Sequence, residues 1–223
     1  MIYSCFLVPS SVTEQIRVLP HGGKERAANR IAWAVLEQYG SRKDCVVKIR
    51  GYRVSLLEIE MILLENPHLK EAAVTIWENE AREQYLVAYL VVGSGRTPTV
   101  SQLSRFLRAR LPDYMIPSRF MFLERLPQIN GKVDRHALPP PEAIRPSLDQ
   151  AYSAATKPIE THLVRLWEEV LGIHPIGIHD NFFDLGGHSL AATRIVARLF
   201  QRFQLEIPLQ ALFESPTVAA MAV

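Results

Sequence analysis

The chain of 223 residues has only two cysteines, Cys5 and Cys45. Two thiols without metal-ligand spacing give neither a disulfide scaffold nor a zinc site, and they suit a reducing compartment. An excess of charge of one sign is missing too. A formal net charge of +2 is too mild to demand nucleic acid or an anionic membrane as partner. No apolar run approaches the length needed to cross a bilayer. Met1 to Val8 is apolar, but it has no basic leader and is short for the core of a signal peptide. The expectation is a soluble cytoplasmic protein with no metal site, no membrane and no nucleic-acid partner. A glycine-rich phosphate loop is also absent, so the chain carries no sign of a nucleotide site of its own.

What is present is the profile of a globular protein, 48% hydrophobic and 22% charged residues, with fifteen prolines gathered where the chain would bend. Residues 1–40 are poorly defined. Within them Glu25 to Tyr39 has helix-forming composition but too little apolar surface for a domain. Residues 41–138 read as a small α+β unit. Val46 to Arg50 predicts a strand ending in a turn at Gly51, and Leu56, Ile59, Ile62 and Leu63 recur at helical spacing. Ala72 to Trp77 and Tyr85 to Val92 read as strands. Thr99 and Gln102 match a capping box ahead of a helix whose apolar face is Leu103, Phe106, Leu107 and Leu111. Phe120 to Leu123 is a last apolar run. Residues 139–156, with Pro139, Pro140, Pro141 and Pro146, predict a semi-stiff linker that buries little.

Residues 157–223 read as helix throughout. Ile159, Leu163, Leu166, Trp167, Val170 and Leu171 trace one stripe, with Pro158 in the opening turn. A loop follows, then a helix from Ser189 to about Phe203, a short one over Pro208 to Phe213, and a last one from Thr217. The fold class expected is thus a short sheet with packed helices followed by an all-α four-helix bundle.

The loop before the second helix reads Asp180-Asn181-Phe182-Phe183-Asp184-Leu185-Gly186-Gly187-His188-Ser189-Leu190. Taken bare, a serine after two glycines at a helix start is an N-cap. The adjacent His188 and Ser189 do not make a hydrolase pair, because no orienting carboxylate is identifiable and Ala191 stands where a nucleophile elbow needs glycine. The string resembles the carrier-protein signature of nonribosomal peptide synthetases, in which every fixed position matches. The resemblance implies 4′-phosphopantetheine held covalently on Ser189, with Gly186, Gly187, His188 and Leu190 around it. It implies two partners, a phosphopantetheinyl transferase with coenzyme A and an adenylation core, and His188 points to a downstream condensation domain as a third.

Two further strings, Ser41 to Glu60 and Leu111 to Arg135, resemble the C-terminal subdomain of adenylate-forming (AMP-binding) enzymes. In that resemblance Lys132 is the lysine that stabilises charge as carboxylate and ATP become acyl-adenylate. Asp44 is the hinge between half-reactions, and Gly51 lies in the loop lining the arm's approach. Ser41, Val46 and Leu57 replace the family's usual Gly, Gln and Gly. Nothing resembles the large N-terminal core that binds ATP, magnesium and the amino acid. The expectation is therefore a fragment or misjoined gene product that performs no adenylation alone. Two alternatives stand beside the carrier reading: a subdomain completing a separate ligase in trans, and an interaction module whose serine is never modified. Nucleic-acid binding through the basic 42–53 strand is disfavoured by Asp44, Glu58 and Glu60 nearby.

Overall fold

The computed structural model describes residues 5–6, 46–79, 82–93, 95–204 and 206–222. The expected helix over Glu25 to Tyr39 and the hinge residue Asp44 lie outside them. The first described element, β1 (Cys5–Phe6), pairs with a strand near the end of the α+β unit.

Strands β2 (Val46–Ile49) and β3 (Tyr52–Ser55) form a hairpin in which Ile49 faces Tyr52. Its two turn residues, Arg50 and Gly51, have φ of 49° and 88°. Two left-handed residues are what a two-residue hairpin loop requires. Gly51 has nothing within 4 Å of the position a Cβ would take. The positive φ by itself calls for glycine here, and the space beside it is open.

Helix α1 (Leu56–Leu64) begins where the Ser55 hydroxyl accepts from the Glu58 amide at 3.3 Å, and it buries Leu56, Ile59 and Leu63. The main sheet has the order β4 (Leu69–Glu78), β5 (Gln84–Val92), β6 (Arg119–Leu123). β4 and β5 are antiparallel, while β5 and β6 are parallel and are joined across helix α2 (Val100–Arg108). The parallel pair requires such a crossover. The capping box expected at Thr99 and Gln102 is present.

Central strand β5 reads as an unbroken apolar run because both of its faces are covered. Leu86, Ala88 and Leu90 join the helices in one cluster. The alternate residues Val87, Tyr89 and Val91 pack with Leu126, Val133 and Leu138 in another. Val133 belongs to the hairpin β7 (Gln128–Ile129) and β8 (Lys132–Val133), the latter being the partner of β1. Its turn, Asn130 and Gly131, again has two positive φ values, 50° and 74°.

Residues 139–156 run extended and largely exposed, yet specific bonds pin them to both sides. Tyr89 donates to the Pro139 carbonyl at 2.6 Å. Asp149 accepts from Thr99 Oγ1 at 2.5 Å and from Arg105. Arg145 reaches Asp180 of the helical unit, and Leu148 packs against both cores. The proline count predicts the stiffness but not these anchors.

The helical unit comprises, among the described residues, α3 (Pro158–Leu171), α4 (Ser189–Phe203), α5 (Leu209–Glu214) and α6 (Val218–Met221). Gly172 ends α3 in the left-handed conformation, φ 61°, the usual role of glycine there. Trp167 and Phe182, both fully buried, meet edge to face at 5.2 Å at the centre of this core.

A free serine at an interdomain cavity

Helix α4 starts at Ser189, as its spacing predicts, but the cap is a different residue. His188 is the N-cap, extended at φ −148° and ψ 171°, and its ring accepts from the Ala191 amide at 3.3 Å. Ser189 is the first helical residue and is exposed. Serine's cap propensity is real; the histidine one position earlier takes the bond first. Among the described residues the Ser189 hydroxyl has no protein partner.

The loop before it is held by bonds among its own residues, the first of them to the Asn181 side chain. Asn181 accepts from the Phe183 amide at 2.9 Å, and the Gly187 amide donates to the Phe182 carbonyl at 2.9 Å. The two glycines have different reasons. Gly186 has φ of 84°, and a Cβ there would overlap the Ser118 carbonyl of the α+β unit. A Cβ on Gly187 would lie 2.5 Å from the ring of Phe182.

Ser189 borders a cavity of about 660 Å³ between the two units. His188, Ser189 and Leu190 line one side, and Arg50, Tyr52 and Tyr114 the other. Tyr52 and Tyr114 stack face to face, 4.3 Å apart and 8° from parallel, making a flat wall. Gly51 sits at the hairpin tip between two lining residues. Lys132 does not line this cavity. It begins β8 directly after the Asn130–Gly131 turn and is half-buried, so the two candidate centres are separate.

Arg119 on β6 joins the two units. It donates to the carbonyls of Leu171 (2.5 Å) and Leu185 (3.0 Å). The Leu171 carbonyl is at the C-terminus of α3, where the helix dipole favours a cation. Burial pushes the Arg119 guanidinium down to about 10, still charged at neutral pH. Arg194 of α4 pairs with Glu83 across the boundary at 2.6 Å. Nothing about Arg119 stands out in the sequence, where it merely precedes an apolar run.

The His188 imidazole is lowered to about 4, first by burial, then by Arg50, with Glu83 opposing and Arg194 and Arg119 adding to the depression. It is therefore neutral, as an accepting ring nitrogen must be. Arg50, Glu83 and Arg119 belong to the α+β unit, so separating the units returns His188 toward its ordinary value of 6.5. The separated state then takes up the extra proton. Docking is at full strength above about pH 6.5 and weakens as pH falls toward 4, by about 2 kcal/mol once partial exposure is allowed for. Fluorescence transfer between dyes on the two units should fall over that range, and His188→Asn should flatten the fall. A pH-independent signal in the unaltered chain contradicts this.

Among the described residues there is no group of three acidic, histidine or cysteine side chains able to hold a metal, and no helix long and apolar enough to cross a membrane.

The phosphopantetheine attachment site family matches residues 161–222, and the AMP-binding enzyme C-terminal domain family matches residues 58–132. The chain is 47% identical over 186 residues to gramicidin S synthase 2 of Brevibacillus brevis, covering 83% of this chain and 4% of that protein. It thus spans a small fraction of the length of such relatives. It is 36% identical to a four-domain nonribosomal peptide synthetase solved with AMP and glycine, covering 81% of this chain and 13% of that one, with a TM-score of 0.43. It is 46% identical to a peptidyl carrier protein solved with the phosphopantetheine transferase Sfp and coenzyme A, covering 32% of this chain and 92% of the carrier, with a TM-score of 0.32. The family follows from the two domain matches and the sequence identities. The chain belongs to the nonribosomal peptide synthetases and carries part of an AMP-binding C-terminal domain followed by a phosphopantetheine carrier domain. The carrier's prosthetic group is therefore covalent 4′-phosphopantetheine.

Proposed function

We propose that Ser189 is the attachment point and that the carrier holds an aminoacyl or peptidyl group during nonribosomal peptide synthesis in the cytoplasm. The observation that carries this reading is the serine hydroxyl at the start of α4, unbonded among the described residues and bordering a cavity of about 660 Å³. The N-terminus of a fifteen-residue helix also favours an incoming phosphate. Two stacked tyrosines offer an apolar wall opposite. The attached group supplies a terminal thiol that carries the substrate as a thioester.

The transfer needs a separate phosphopantetheinyl transferase and coenzyme A. Ser189 Oγ bonds to the phosphorus bearing the pantetheine. The phosphorus–oxygen bond on the adenosine side breaks, adenosine 3′,5′-bisphosphate leaves, and the hydroxyl proton passes to a base of the transferase. Lys132, on a hairpin apart from this cavity, is assigned to the adenylation half-reaction. It acts only with a core that brings ATP, magnesium and the amino acid, with Asp44 as the hinge and Gly51 at the arm's approach. A downstream condensation domain is the proposed acceptor of the loaded group.

Incubating the chain with coenzyme A and a broad-specificity transferase is expected to add one phosphopantetheine by intact mass, and Ser189→Ala to add none. Failure of the folded chain to gain mass would remove the carrier reading. ATP–pyrophosphate exchange by the chain alone is expected to stay at background, because Lys132 is proposed to act only with a separate core that binds ATP.

A further inference from the structure

We propose that His188 is the positioning residue for modification of Ser189, serving as an uncharged N-cap of α4 so that the serine hydroxyl is left unbonded. The inference rests on the reading of Ser189 as the attachment site and assigns its neighbour a task in the same reaction.

Serine is among the strongest N-caps, and a capping hydroxyl is tied to an amide two or three residues ahead. With Ser189 at the cap, its oxygen would be engaged with the first turn and withdrawn from an incoming phosphorus. Extended backbone at His188 prevents this by starting the helix one residue earlier, with Ser189 already inside its first turn. The Ala191 amide then goes to His188 Nδ1 at 3.3 Å and the Ala192 amide to the His188 carbonyl at 2.9 Å. Among the described residues the amides of Ser189 and Leu190 have no such acceptor. They are left as two donors on the serine's own turn, where phosphate oxygens gain from them. One residue therefore frees both the nucleophile and the donors that steady its product.

Only a neutral imidazole can do this, because the accepting nitrogen needs its lone pair and the proton must lie on Nε2. The charged groups facing the ring are Arg50, Arg119 and Glu83 from the α+β unit and Arg194 from α4. Three cations against one carboxylate keep a second proton off. An imidazole bonded in this way acts on the hydroxyl through placement and does not take its proton.

The full chain carrying His188→Ala, His188→Asn or His188→Asp is to be modified by a broad-specificity transferase with coenzyme A, reading initial rates by intact mass. Alanine should lower kcat/KM for the chain by about tenfold, as expected where a cap bond is lost, without changing KM for coenzyme A. Asparagine and aspartate, which cap through a side-chain oxygen, should restore the rate to within about threefold. Rates are to be compared at about pH 8, where the imidazole is neutral whether the units are docked or apart; asparagine cannot take the hydroxyl proton, so its rescue separates placement from base catalysis. Circular dichroism confirms that each variant keeps its helices, and the asparagine comparison decides if alanine does not fold. Alanine at the unaltered rate, or asparagine as slow as alanine, overturns the proposal. An unaltered chain that gains no mass strikes instead at Ser189 itself.

Discussion

Replacing Asp180 with alanine is expected to remove about 3–5 kcal/mol from the stability of the helical unit, the range for breaking a buried ion pair on one side. Its side chain has no exposure to solvent. It accepts from Arg145 Nε at 2.8 Å, from the other arm of that guanidinium at 2.7 Å, and from the Gly177 amide at 2.8 Å. Without it, a guanidinium only 15% exposed and a buried amide both lose their partner. The Gln150 carbonyl, which Arg145 also contacts at 2.7 Å, bears no charge and cannot replace the carboxylate. Arg198 and Glu169 provide the contrast, with side chains 40% and 44% exposed; such pairs contribute under about 1 kcal/mol. Urea denaturation of Asp180→Ala beside Glu169→Ala separates the two cases, and equal losses would sink the argument. Arg145→Ala combined with Asp180→Ala should lose less than the sum of the single changes, because the second removal leaves no unpaired buried charge. The bond joins the linker to the carrier. Arg145, with the Ile144–His174 bridge beside it, thus behaves as part of the carrier, although the sequence places it in a connecting segment.

That misplacement shows where sequence reading reaches its limit. Period and capping chemistry are local, so α1, α2, α3 and α4 were legible from the spacing of Leu56, Ile59 and Leu63, from Thr99 with Gln102, and from Pro158. The strand at Tyr52–Ser55 was not, because its four residues lack a long alternation and are recognisable only by pairing with Val46–Ile49. The helix start at Ser189 was legible because one contiguous string carries its loop. Which residue caps α4 was not, since histidine is no common N-cap and the competition is settled by backbone angles. Arg119, Arg145 and the Tyr52–Tyr114 wall make contacts between segments far apart in the chain. A lone arginine or tyrosine carries no local sign that such a contact awaits it.

Gly186→Ala should lift the carrier from the α+β unit while leaving Ser189 open to modification. A Cβ at this position meets the Ser118 carbonyl oxygen and carbon, both backbone, with the Arg119 guanidinium next at 3.3 Å. Backbone cannot swing aside as a flexible side chain can, so the simplest relief is separation of the two surfaces. The φ of 84° adds roughly 1–2 kcal/mol of strain within the carrier loop itself, which would act even on a lone carrier. Arg119→Ala distinguishes the two effects. It deletes the bonds to Leu171 and Leu185 from the opposite side and leaves the carrier loop untouched. Both variants should lose fluorescence transfer between the units, whereas only Gly186→Ala should lower the denaturation midpoint of the carrier. The Arg194–Glu83 pair, 39% and 18% exposed, is too accessible to hold the units together alone. Since His188 and Ser189 both lie within the carrier, the transferase should still modify each variant. Unchanged transfer in both would mean that docking does not depend on this contact.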